Sequence, residues 1–356
     1  MKRYFIVAWL LVFIVSCVGI GTRETAAPIG STPLDHLSEG SMAGDRANKS
    51  NLTSGLTGSI PLVTFVFDDG NDTDYLVARD IFAEQGAVAC SAITTDWING
   101  PGYMTVAQII GLKDAGWEIM AHTATHPNLR SLSSAQVEGE LSRSKATLEG
   151  LGLNIKNLVY PYNKNNEMVR AVARRYYRSG RGGRNAVNGA IVDPYDLKSY
   201  SIKHDLAGME RFIDRAYAGR SWIIFYQHRV DIKVAVEERH GSFIPGEKLM
   251  FSPSGAQGRY EPPAWYLFFG SLYFVPLSGR PGAGDTIIGE SSGASARIDR
   301  ILYDEWAQIR DMIRYVRTRY PDMRIVTIDQ GLDILGIAQQ APLAAEIPAQ
   351  PAYSAR

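Results

Sequence analysis

The chain has 356 residues, 45% hydrophobic and 21% charged, a composition that excludes disordered, collagen-like and multispan membrane classes. Its 37 Lys+Arg balance 37 Asp+Glu, so no basic field exists to hold a polyphosphate backbone, and a neutral partner is expected rather than nucleic acid. Only Cys17 and Cys90 are present, which excludes a disulfide framework.

At the N-terminus, Lys2 and Arg3 precede an apolar run from Tyr4 to Val15, followed by Ser16-Cys17. Twelve residues rise about 18 Å as a helix, short of the ~30 Å hydrocarbon core, so the run reads as an export signal over 1–17. Ile14-Val15-Ser16-Cys17 resembles a bacterial lipobox, whose Cys carries lipid. The expectation is therefore an exported protein held at the cell envelope, with plain secretion as the alternative. Residues 18–59 are Gly-, Ser-, Thr- and Asn-rich without an apolar face and read as a flexible tether.

From residue 60 the pattern alternates. Leu62 to Phe67 is a continuous β-branched and aromatic run, the mark of a strand covered on both faces. Asp74 to Gln85 reads as helix and Ala87 to Ile93 as strand; Val106 to Ala115 and Trp117 to Ala121 repeat the cycle. Ser133 with Gln136 predicts a capping box opening a helix to Gly150. Leu158 to Tyr160 is a strand, Met168 to Tyr177 a helix and Trp222 to Tyr226 a strand. Trp306, Ile309, Ile313, Val316 and Tyr320 stripe a helix ahead of strand Arg324 to Ile328. Strands alternating with helices imply parallel pairing through right-handed crossovers, and about seven units suggest an α/β barrel. Between them, 231–300 breaks the pattern and reads as a β-rich insertion, with Tyr260, Trp265, Tyr266, Phe268, Phe269, Tyr273 and Phe274 crowded together. Those aromatics could stack on sugar rings or fill a small sheet's core. Residues 338–356 read as a disordered tail.

Polar residues at strand ends are where such a barrel places its chemistry. Asp68 and Asp69 end the first strand. His122 and His126, two of six histidines, follow another, and imidazoles four apart can converge on one metal if the segment is a helical turn. With Asp69 they make a donor set suited to Zn2+, or to Co2+ or another divalent transition metal, leaving room for water and substrate. Tyr160-Pro161-Tyr162-Asn163 is a strand end with a Pro-forced turn, and His228 follows Tyr226-Gln227 at a third strand tip.

In order and spacing these segments resemble the polysaccharide deacetylase family, the carbohydrate esterases that share the NodB homology domain. Phe67-Asp68-Asp69-Gly70, His122-Thr123-Ala124-Thr125-His126-Pro127, Tyr160-Pro161-Tyr162 and Tyr226-Gln227-His228 match four of its motifs, and the third resembles the YPYG-type subgroup. The resemblance implies a distorted (β/α)7 barrel over 60–230 and 301–337 and a hydrolase that deacetylates N-acetylated sugars of a polysaccharide. It implies Asp69, His122 and His126 as metal ligands, Asp68 as general base, the Tyr162 backbone N–H as oxyanion donor and His228 as general acid. An O-acetyl ester hydrolase on a plant-type glycan such as xylan, and a non-catalytic glycan-binding lipoprotein, are the alternatives.

Four departures stand out: no Arg precedes the third motif, Asn163 replaces Gly, Tyr226 replaces Leu, and the fourth motif, an Asp with a nearby Trp, has no clear counterpart because no Trp lies beside Asp193 or Asp196. Arg178, Arg181 or Arg184 could stand in for the absent Arg, although the run Arg174 to Arg184 reads first as a solvated charged face. Asp193 and Asp196 are candidates to tune His228.

Overall fold

The structure, a computed structural model, describes residues 60–262 and 270–338. The signal, tether and tail readings, and Trp265, Tyr266, Phe268 and Phe269, lie outside the described residues.

Seven parallel strands close into a barrel: β1 (Leu62–Phe67), β2 (Cys90–Ile93), β3 (Glu118–Ala121), β4 (Asn157–Val159), β5 (Ser179–Arg184), β6 (Leu197–Ser201) and β7 (Trp222–Gln227), with β7 pairing back on β1. This is the closed α/β barrel that the alternation of strands and helices implies. Its helices are α1 (Arg79–Glu84), α2 (Val106–Asp114), α3 (Ser134–Gly150), α4 (Glu167–Ala173) and α5 (Leu206–Ala218). The α3 capping box forms as its sequence predicts, with Ser133 Oγ accepting from Gln136 N and Gln136 Oε1 from Ser133 N. The segment expected as helix from Asp74 begins instead as a π-turn, Asp74–Ala78, before α1.

Period-two alternation decides which residues fill the barrel. On β1, Leu62 and Val66 face an inner cluster with Cys90, Ala92, Met120, Val159, Leu197 and Ile224, while Val63, Phe65 and Phe67 face the outer helices. Thr64, between the inner two, accepts from Trp222 Nε1 and donates to Val326 O. Continuing the inner register one step past the apolar layer gives Asp68 on β1 and His122 on β3. A polar layer therefore caps a packed core at the carboxyl ends of the strands.

Four regular elements escape sequence reading: β5, β6, α5 and the last helix. β5 is Ser-Gly-Arg-Gly-Gly-Arg, without one apolar side chain, yet five of its six residues are buried. Gly180 is required there: a Cβ would sit 2.2 Å from the Tyr160 hydroxyl. The predicted strand Arg324 to Ile328 shortens to β14 (Arg324–Ile325), which follows the insertion and α6 (Glu305–Arg319), because Thr327 and Gln330 form a capping box that opens α7 (Ile328–Ile334). Ile328 and Leu332 of α7 then join the inner cluster.

The insertion is a second closed barrel of six antiparallel strands: β8 (Ile232–His240), β9 (Lys248–Ser252), β10 (Gln257–Tyr260), β11 (Ser271–Ser278), β12 (Thr286–Gly289) and β13 (Ser295–Asp304). β13 runs unbroken to Asp304, the N-cap of α6, so the return to the parallel barrel falls there. Tyr260 and Phe274 lie in its core with Leu249, Phe251, Leu272 and Ile298, and Tyr273 is buried, so the described aromatics of the cluster are packing residues. Among the described residues no helix is long and apolar enough to cross a membrane.

Candidate metal centre

Asp69, His122 and His126 meet at the barrel mouth, each offering one ligand atom, all within 4.8 Å of one another. Asp69 Oδ1 lies 3.4 Å from His122 Nε2 and 3.5 Å from His126 Nε2. For metal bonds near 2.1 Å, a tetrahedral edge is about 3.4 Å. Asp69 Oδ1 is buried and has no hydrogen-bond partner. An orphaned carboxylate oxygen facing two imidazole nitrogens is costly unless a cation joins them, so the residues present fit a divalent metal ion.

The histidines are prepared for that role. His122 Nδ1 sits 2.8 Å from Val159 O, a carbonyl that can only accept, so Nδ1 carries the proton and Nε2 presents its lone pair. Burial, then the neighbouring His122, lowers His126 below the ordinary imidazole value and favours its neutral form. Burial alone would raise the Asp69 carboxyl, but His122 foremost, with His228 and His126, holds it below the usual carboxylate value.

Convergence of the two imidazoles does not come from a helical turn, as their spacing suggests. The strand ends at Ala121, and the loop beyond uses left-handed backbone at Thr123 (φ 66°) and His126 (φ 61°). Glu140 on α3 fastens that loop, accepting from the N–H groups of Ala124 and Thr125 at 3.0 and 2.9 Å and from the Thr125 hydroxyl at 2.9 Å. Asp69 (φ 79°) and Tyr162 (φ 56°) are left-handed too. With Asn163 (φ 57°), five non-glycine residues in this sparsely populated region at one mouth are strain held by the surrounding structure.

One buried side chain accounts for three of the four sequence departures. Arg181 on β5 is fully buried, donates from Nη2 to Asp68 Oδ1 and from Nη1 to Asn163 Oδ1, and lies 4.9 Å over the Tyr226 ring. The missing third-motif Arg is thus replaced from another strand. Asn163 supplies an acceptor that Gly lacks, and Tyr226 supplies a π-face for the cation. Gly183 makes room, since a Cβ there would fall 2.9 Å from Asn163 Cβ. The solvated-face reading of Arg174 to Arg184 is corrected accordingly. Arg178 is buried and paired with Asp329 and Asp333, and only Arg184 is exposed, near Asp196.

Asp196 engages Lys198 and Arg184, and Asp193 accepts from Tyr195 N. Neither therefore takes the part foreseen for it beside His228. His228 is exposed at the end of β7, close enough to the centre to influence Asp69 and His126 electrostatically. Tyr162 is 58% exposed in a single turn opened by Pro161, its ring centroid 4.7 Å from that of His126. Trp97, absent from the sequence reading, lies with its ring centroid 5.1 Å from that of His126 and 4.9 Å from that of Tyr103.

The family model of polysaccharide deacetylases matches residues 56–178. Among solved structures, the chain is similar to the Streptococcus pyogenes deacetylase PplD in complex with acetate, at 25% identity over 38% of this chain and 62% of that one, TM-score 0.35. It is similar to a polysaccharide deacetylase from Bacillus cereus at 20% identity over 38% and 45% of the two chains, TM-score 0.34. The Xyl-CE4 domain of a multidomain xylanase from the hindgut metagenome of Trinervitermes trinervoides matches at 11% identity over 80% and 95%, TM-score 0.43. The first two matches span less than two-thirds of those relatives' own lengths. No curated protein matches the chain. Fold and site together define a closed parallel α/β barrel whose mouth carries an Asp-His-His centre that fits a divalent metal, in a chain whose residues 56–178 match the polysaccharide deacetylase model. Beside that centre the chain places Arg181 on Asp68 and carries a second barrel inserted after β7.

Proposed function

We propose that this protein is a metal-dependent hydrolase that removes acetyl groups from N-acetylated sugars of a polysaccharide. The observation that carries the reading is the orphaned Asp69 oxygen facing His122 and His126 beside an Arg-anchored Asp68. One carboxylate oxygen and two imidazole nitrogens suit zinc best, and Co2+ would also be accepted. A divalent ion held there supplies Lewis-acid chemistry, acidifying water and polarising an acetyl carbonyl.

The chain's own residues supply the rest. Asp68 Oδ1 is engaged by Arg181, which fixes the carboxylate and leaves Oδ2 to take a proton from the attacking water. The Tyr162 N–H, in its left-handed turn, is the donor for the oxyanion that develops on the acetyl group, and it needs no reorganisation as charge grows. His228 then protonates the leaving amine, a task matched to an imidazole near neutral pH. Tyr160-Pro161-Tyr162 supports a place in the YPYG-type subgroup, with Asn163 altered to serve Arg181. The Lys2-Arg3 and Ser16-Cys17 boundaries support export and lipid anchoring at the envelope.

Acetate release is measured on chitooligosaccharides, peptidoglycan, poly-N-acetylglucosamine and acetylated xylan, with and without chelator. Release from an N-acetylated substrate, abolished by chelator and by Asp68→Asn, is expected. Glycan retention without acetate release by either wild type or Asp68→Asn would contradict the reading.

A further inference from the structure

The inserted barrel reaches the metal centre through one continuous chain of alternating charges. Asp72, three residues past the ligand Asp69, accepts both Nη groups of Arg259 at 2.7 and 2.9 Å. Arg259 Nε pairs with Glu261 Oε1 at 2.5 Å. Glu261 Oε2 accepts from Arg229 Nη1 at 2.7 Å, and its backbone carbonyl from Arg229 Nη2 at 3.0 Å. Arg229, adjacent to His228, closes on Asp231 from Nε and Nη2 at 3.0 and 2.9 Å. Beside it, the N–H of Val230 donates to Thr73 Oγ1 at 3.2 Å.

Arg259 and Glu261 belong to the insertion, at the end of β10. Tyr260 between them is buried in the insertion core, so strand alternation turns 259 and 261 outward together toward the parallel barrel. Their partners sit in the two loops whose relative position matters most. The loop Asp68 to Thr73 carries the left-handed Asp69 and needs over-determination to hold it. His228 is exposed, so its direction toward the centre depends on how its neighbours Arg229 and Val230 are anchored. A mostly buried network in which every charge meets an opposite one is rigid, and removing a member leaves its partners desolvated and uncompensated.

We propose that Arg259 and Glu261 are positioning residues, and that the inserted barrel is a brace that fixes the metal-bearing loop and His228 relative to each other. The insertion is then part of the active site's architecture. Its catalytic consequence rests on the deacetylase reading above, whereas its effect on metal affinity does not.

The test combines two readouts on the full chain. Zinc is titrated calorimetrically into metal-stripped wild type, Arg259→Met and Asp72→Asn; both variants bind zinc with the wild-type stoichiometry but at least about fivefold more weakly, because the loop holding Asp69 is loosened. Acetate release is then compared for wild type, Glu261→Gln, His228→Ala and the double variant. Glu261→Gln lowers kcat about tenfold with little change in KM, and adds almost nothing in the His228→Ala background, because it acts through His228. A merely structural Glu261 would lose the same factor in both backgrounds, and that result, like wild-type kcat in Glu261→Gln or wild-type zinc affinity in Arg259→Met, overturns the proposal. If Arg259→Met does not fold, Arg259→Lys, which cannot make the two-pronged contact, carries the same affinity test. Wild type that binds zinc but releases no acetate from any substrate would sink the deacetylase reading instead, and the brace is then decided by the zinc affinities alone.

Discussion

Two closed barrels share this chain, and they differ in where each puts its polar residues. In the parallel barrel every strand runs the same way, so all carboxyl ends open on one mouth, and a polar layer of Asp68, His122 and Arg181 caps the apolar filling of Leu62, Val66, Met120 and Ile224. In the antiparallel barrel strand ends alternate between its two rims, its interior is filled by Phe251, Phe274 and Leu249, and among the described residues no metal-ligating cluster forms there. Parallel order concentrates chemistry, while antiparallel order yields a compact strut whose contribution is the Arg259 and Glu261 pair on its flank.

That contrast breaks most sharply at the mouth of the parallel barrel. His122→Ala removes a ligand whose Nδ1 is already fixed by Val159, and is expected to abolish stoichiometric metal binding and to lower acetate release by about a thousandfold or more, read by elemental analysis and initial rates. Arg181→Met comes next. It strands the buried Asp68 carboxylate, so stability should fall by about 3–5 kcal/mol in denaturant titrations and kcat by about a hundredfold. Arg181→Lys should not restore kcat, because one ammonium cannot span Asp68 and Asn163 while lying on Tyr226.

Effects in the second barrel should be mainly on stability. Phe274→Ala opens a void beside Phe251 and is expected to cost about 3–5 kcal/mol while leaving zinc stoichiometry intact. Loss of metal from that variant would show the two barrels to be more tightly coupled than a flank contact implies.

The smallest effect falls at the seam where the chain returns from one barrel to the other. Burial, with the nearby Asp231 charge, pushes Glu305 up to about 8, so it is protonated in the native state at neutral pH. Its folded value lies above its unfolded one. The associated stability is therefore full below about pH 4.5 and is lost as pH rises through about 8. Glu305→Gln should lack that loss, so its melting temperature should gain on wild type between pH 5 and 8.5; parallel melting curves across that range would refute the assignment.

How much of this was legible in sequence follows from the same physics. β1 and β7 are continuous apolar runs ending in Asp68-Asp69 and Gln227-His228, and β3 runs into His122 and His126, so both the barrel and its metal ligands could be read. β5 could not, because a strand of Gly, Ser and Arg has no hydrophobic pattern, and its burial exists only once Tyr160, Asn163 and Asp68 close around it. Helix α5 keeps Met209, Ile213 and Ala216 at helical spacing, but β5 and β6 before it have no helix between them, which interrupts the strand–helix alternation that would announce the unit. The geometry of the His122–His126 loop was likewise out of reach, since left-handed Thr123 and His126 are imposed by Glu140 from another helix. Arg259 and Asp72 stand 187 positions apart, and no local pattern announces such a pair.

The central claim is that Asp69, His122 and His126 hold one divalent ion. Calorimetric titration of zinc into the metal-stripped chain, beside the His122→Ala/His126→Ala double variant, tests it most directly. About one ion per wild-type chain and none in the double variant is the predicted result. No saturable binding by wild type, or equal binding by both proteins, would contradict it.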